Sequence, residues 1–176
     1  AFSHDAKRYA FTQGHGEASP PGTEIRSINL MDVTIDDNAG PFGTLTFSNR
    51  KVVLDNGPGG KVAKYATFLP NSDLIVLQES QIFDPAHGGM LATRDASGTY
   101  GAADGKLGLV DVATSSHVDL AGANSGVVPA DAEKNYEPFA LRIAVGGYYW
   151  VVFTSIRQYG NLQMGGGIRK QLWVAA

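Results

Sequence analysis

The side chains able to do chemistry in this chain are few and scattered. Four histidines, His4, His15, His87 and His117, stand far apart with no ligand-like spacing, and His4 is expected in a turn. The cysteine count is zero, which removes thiolate metal sites, disulfides and a cysteine nucleophile together. Asp32, Asp36, Asp37 and Asn38 offer oxygens close together in sequence, the donor type a hard cation such as calcium takes. Their match to an ordered calcium loop is poor, and turn formation through side-chain-to-backbone bonds is the alternative role. There is no Gly-x-Ser-x-Gly nucleophile elbow, no phosphate loop and no His-Glu-x-x-His. The chain is therefore expected to be noncatalytic and to need no cofactor.

Recognition fits the remaining polar groups better. Glu137, Arg157 and Tyr159 would form a polar site at strand ends, because arginine offers a planar donor fork and tyrosine an amphipathic ring. Asn161 ends the same exit, Arg157-Gln158-Tyr159-Gly160-Asn161. The competing role for these residues, and the one expected, is a structural bridge between neighbouring sheets. Tyr148, Tyr149, Trp150 and Trp173 could stack on a sugar, although aromatics alternating along apolar strands usually fill a core. Arg94 and Asp95 lie in the long, poorly patterned stretch from Ser80 to Gly105. A loop of that length is either functional, ordered by its own contacts or a tolerated insertion. The candidate binding residues are thus Arg94, Asp95, Glu137, Arg157, Tyr159 and Asn161, with Asp32, Asp36 and Asp37 as the metal alternative.

The elements that must position these groups are strands. The 22 glycines are too many for a mainly helical chain and lack a three-residue period, so they mark turns. Periodicity predicts strands over Lys7 to Gln13, Ile25 to Ile35 with a bulge at Met31-Asp32, Val62 to Leu69, Leu74 to Glu79 and Leu107 to Val112. His117 to Leu120 reads as a short edge strand, and Leu45 to Leu54 as one interrupted strand or a pair. Tyr136 to Ala144 and Tyr148 to Ser155 are expected to pair around Val145-Gly146-Gly147, with a last strand over Lys170 to Val174. The total is roughly ten short strands, with no helical period sustained anywhere.

Charge and length narrow the partners. Seventeen acidic residues face 14 basic ones without long blocks, leaving a formal net charge of -3 and no footprint for nucleic acid. No apolar run approaches the roughly 20 residues of a membrane helix. The opening Ala1-Phe2-Ser3-His4-Asp5 has neither the basic start nor the apolar stretch of a signal peptide, so a leader is expected to have been removed or the chain to be an internal piece.

The strands repeat. Phe2 to Thr12 aligns without gaps on Phe68 to Gln78 as aromatic, tight polar turn, apolar strand, and a looser third copy ends in Trp150-Val151-Val152-Phe153-Thr154. Ile28-Asn29-Leu30-Met31-Asp32-Val33 likewise matches Leu107-Gly108-Leu109-Val110-Asp111-Val112. Sections of about 1–61, 62–134 and 135–176 follow, within a single β-rich unit.

These residues resemble the TolB-like β-propellers of bacteria, whose strand-turn-strand repeat reads Phe-Ser-Pro-Asp-Gly-Lys-Arg-Leu-Ala-Phe. Asn135-Tyr136-Glu137-Pro138, Gly146-Gly147-Tyr148, Trp150 to Ser155, Arg157, Tyr159-Gly160-Asn161 and Lys170 to Ala175 are similar to a segment of large exported bacterial proteins carrying such repeats. His4 and Pro70-Asn71-Ser72 reproduce the Pro-Asp-Gly turn in part only. The resemblance implies all-β, antiparallel four-stranded blades of propeller type, with about two and a half repeats present where a closed propeller needs four to eight. It also implies an exported, periplasmic or cell-surface location. The chain is then expected to be a scaffold for protein or small-ligand binding, partnered by further blades or by another chain. The alternatives are a propeller accessory to an enzyme whose catalytic domain lies elsewhere, and an autonomous carbohydrate-binding β-sandwich.

Overall fold

A computed structural model describes residues 1–12, 27–56, 61–80, 105–125, 132–157 and 171–176. Among these the chain is all-β, with a single short helix. Strands β1 (Arg8–Thr12), β2 (Ser27–Asp36) and β3 (Thr44–Asp55) form an antiparallel first sheet in that order. The second sheet runs β4 (Val62–Phe68), β5 (Leu74–Ser80), β6 (Lys106–Asp111), β7 (His117–Asp119), again antiparallel throughout. Helix α1 (Ala121–Asn124) follows it. The third sheet has β9 (Val151–Ser155) between β8 (Asn135–Ala140) and β10 (Gln171–Ala175).

The sheets stack face to face with the second in the middle. Ile75, Leu77 and Val110 on one of its faces pack with Ala10, Ile28, Leu30, Val53 and Leu54 of the first sheet. Val76 on the other face meets Ala140 and Val151, while Leu107 meets Phe153, all from the third. This explains why β5 is a continuous apolar run rather than an alternating one, since a strand covered on both sides has no water-facing set of positions. Each fully buried Leu or Ile there contributes about 1.5–3 kcal/mol.

The repeated sequence has repeated geometry. In the first copy Ser3 N donates to Arg8 O at 2.9 Å and Ala6 N to Ser3 O at 3.0 Å. In the second, Leu69 N donates to Leu74 O at 2.8 Å and Ser72 N to Leu69 O at 2.9 Å, at the aligned positions. Ala6 and Ser72 occupy the same left-handed step, with φ of 57° and 61°, where glycine would be unstrained. The two turns also touch: His4 N donates to Ser72 Oγ at 3.1 Å, and Arg8 Nη1 to Ser72 O at 2.9 Å. In the third copy Leu141 N donates to Trp150 O at 2.9 Å, the aligned closure of a longer connection.

Two strand readings change. Leu45 to Leu54 is one strand, β3, with shifted register against β2 between Leu30 and Asp32, beside the bulge read at Met31-Asp32. The strands on either side of Val145-Gly146-Gly147 are shorter than periodicity implies. They stop at Ala140 and restart at Val151, because Gly146 and Gly147, both at positive φ, make a two-residue hairpin turn of their own. Val145 and Tyr148 close it by exchanging backbone bonds of 3.0 and 3.2 Å. Tyr148 consequently leaves the core and is 60% exposed, with Trp150 edge-on to it.

Candidate functional site

Glu137 and Arg157 fall in the third sheet, where each joins elements. Glu137 takes φ of 54° in a bulge of β8 between Tyr136 and Phe139. Its N–H is thereby turned toward the middle sheet, where it donates to Gln78 Oε1 at 2.9 Å, and its carboxylate accepts from Thr154 Oγ1 at 2.9 Å. Arg157 is only 4% exposed. Its guanidinium donates through Nη2 to Ala123 O of helix α1 and lies 5.8 Å from the Phe153 ring centroid and 5.3 Å from that of Trp173. Helix α1 is tied in turn to β6, since Asn124 both accepts from Leu107 N at 2.9 Å and donates to Leu107 O at 2.7 Å. These are inter-sheet bridges. Ser155 is similarly engaged, donating from Oγ to Lys134 O at 2.6 Å and accepting from Arg157 N at 3.2 Å.

The polar cluster with chemical potential lies elsewhere, on the face of the middle sheet that Leu77 and Val110 turn to the first. Register pairs Leu77 with Gly108, Gly108 with Asp119, and Val110 with His117. Glu79, two residues beyond Leu77, therefore shares a face with His117 and Asp119. Ligand-type atoms of these three all lie within 4.8 Å of one another. Glu79 is 3% exposed and accepts at Oε1 from Asn56 Nδ2 at 2.9 Å. Its Oε2 stands 3.2 Å from His117 Nε2, off the axis of that nitrogen, so the pair is a close ionic contact without an aligned hydrogen bond. Lys106 Nζ reaches Asp119 Oδ2 at 3.7 Å and Glu133 Oε1 at 3.6 Å.

Gly108 makes the cluster sterically feasible. A Cβ there would sit 2.7 Å from His117 Nε2 and 3.5 Å from Glu79 Oε2. Contact with Glu79 raises the His117 pKa, against burial that lowers it, and the Asp119 charge raises it further. For Glu79, burial works upward but is outweighed by the close contact with His117, the hydrogen bond from Asn56 and the charges of His117 and Lys61, leaving the carboxyl below its usual range. The arrangement sets a buried carboxylate against a half-buried imidazole whose charged form it favours, and it can also offer two carboxylates and an imidazole to one cation.

Sequence reading missed this cluster because its members are separated by a whole strand connection. One signal was present: in Leu74-Ile75-Val76-Leu77-Gln78-Glu79, strand alternation puts Glu79 on the same side as Ile75 and Leu77, an acid on an inward face. Of the three aspartates read from sequence as metal candidates, Asp32 and Asp36 have hydrogen-bond partners within the first sheet and its turn. Asp32 accepts from Asn49 Nδ2 at 2.8 Å, and Asp36 Oδ1 accepts from Asn38 N at 3.0 Å in an Asx-type turn. Arg94, Asp95, Tyr159 and Asn161 lie outside the described residues.

Comparison with protein-family models, with curated proteins and with solved structures returns no match.

Proposed function

We propose that this chain is a noncatalytic segment of β-propeller type, a stack of blade-like sheets that serves as a scaffold for contact with protein or small ligands. The observation that carries this reading is the asymmetry of burial across the stack. The middle sheet is covered on both faces, whereas the outer sheets leave large apolar side chains in water. On the first sheet Phe2, Tyr9 and Phe47 form a ring cluster, with Phe2 and Phe47 exposed. On the third, Leu172 is 76% exposed and Val174 and Phe139 are also in water, on the side opposite Trp173 and Ala175, which pack inward. Stacked sheets of one kind bury such faces against further copies, which makes neighbouring blades or another chain the natural cover. The TolB-like resemblance adds the propeller type and the exported bacterial setting.

Solution mass and hydrophobic-dye binding of the 176-residue protein test the reading, beside a Leu172→Glu, Val174→Lys variant. The unaltered chain is expected to self-associate or bind dye, and the variant to do so less with an unchanged unfolding midpoint. A dye-silent monomer, or a variant that loses stability by more than about 1 kcal/mol, would show that the outer faces are not contact surfaces.

A further inference from the structure

We propose that Glu79, His117 and Asp119 form a binding site for a divalent transition metal, zinc being the ion the donor set fits best. One imidazole nitrogen and two carboxylates are the ligands zinc takes with an open fourth position, whereas calcium would need six or more oxygens. The spacing agrees. Ligands about 2.0–2.1 Å from a tetrahedral zinc stand about 3.3 Å from each other, and His117 Nε2 and Glu79 Oε2 are 3.2 Å apart. Two ligands of one ion also lie off each other's axes, because each points at the metal. The off-axis placement of Oε2 beside Nε2, which leaves that buried nitrogen without an aligned hydrogen bond, is the geometry such a pair has.

The surroundings favour the same use. Asn56 Nδ2 holds Glu79 Oε1 at 2.9 Å and Lys61 O at 2.9 Å, fixing the carboxylate from behind and leaving Oε2 to face the imidazole. Asp119 is the mobile ligand, since its side chain is 51% exposed and must draw in from a separation of up to 4.8 Å. Its partner Lys106 has a second acceptor in Glu133, so Asp119 can turn without leaving an ammonium unpaired. Gly108 leaves the space between the ligands free of a side chain. Three carboxylates, Glu79, Asp119 and Glu133, stand against two lysines, Lys61 and Lys106, so the cluster is net acidic when His117 is neutral. A bound ion would tie the edge strand β7 to β5 across β6.

The test uses untagged 176-residue protein freed of metal by chelation. Titration with Co2+ is expected to give visible d–d absorption saturating at one equivalent in the micromolar range, displaced by Zn2+. His117→Gln and Asp119→Asn should each weaken Zn2+ binding by at least about 10–100-fold, the loss that changing a residue behind a ligand already causes, while a variant lacking His4, His15 and His87 binds as before. Asp119→Asn, on an exposed edge, keeps the test alive if His117→Gln does not fold. No saturable uptake up to about 1 mM metal, or affinity unchanged in both ligand variants, overturns the proposal and leaves the cluster as an ion pair alone.

Discussion

Replacing His117 with glutamine in the metal-free protein isolates what the imidazolium does for Glu79. Removing one partner from a fully buried ion pair costs about 3–5 kcal/mol, because the other charge is left without compensation. Glu79 is 3% exposed but the His117 side chain is 26% exposed, so water enters beside the carboxylate and Asn56 continues to hold Oε1. The expected cost is therefore about 2 kcal/mol where His117 is charged. Its raised pKa means that the stability it contributes is complete below the ordinary value of 6.5 and is lost as pH rises through the raised value. The lowered Glu79 contributes oppositely, with stability present above the ordinary 4.5 and lost as pH falls through the lowered value. Both contributions are present together between those two ordinary values. Urea unfolding in chelator should show the variant weaker by about 2 kcal/mol near pH 6 and within about 0.5 kcal/mol of the unaltered protein near pH 9. A double-mutant cycle with Glu79→Gln should give a coupling of at least about 1 kcal/mol near pH 6. Equal losses at both pH values would refute the electrostatic reasoning and assign the effect to packing.

Gly108→Ala places a methyl 2.7 Å from His117 Nε2, and thermal unfolding should reveal a loss of about 1–3 kcal/mol, larger than for Gly122→Ala, which meets nothing within 4 Å. Ala6→Gly relieves a left-handed step and should stabilise by about 0.5–1 kcal/mol in denaturant titration. Ser72→Gly relieves the same strain but loses the hydroxyl that His4 N uses, so it should gain less. Arg157→Lys removes the flat guanidinium near Phe153 and Trp173 and its bond to Ala123; a loss of about 2–3 kcal/mol is expected, read by chemical denaturation with tryptophan fluorescence.

Much of the secondary structure was legible in the sequence because it is local. The turns at Ser3 to Ala6 and Pro70 to Asp73 are fixed by short-range backbone bonds and polar side chains, and their shared left-handed step is set within four residues. The apolar run from Leu74 announced a strand, though not that both its faces would be covered, and glycine density announced connections rather than helices. The hairpin at Gly146-Gly147 was read as a connection, yet its extent was not, since two glycines at positive φ make their own closed turn and expel Tyr148 from the ladder.

The site belongs to the tertiary structure. No local pattern joins Glu79 to His117: they meet because β5, β6 and β7 adopt one register, because Gly108 between them has no side chain, and because the first sheet covers that face. The bridging of Arg157 to α1 depends likewise on how the third sheet lies against the second. Sequence alone determined that the chain would make short antiparallel strands in repeated units, since strand alternation and turn chemistry act over a few residues. Which charges share a low-dielectric space was decided by stacking and register, which bring together residues whose spacing along the chain carries no sign of it.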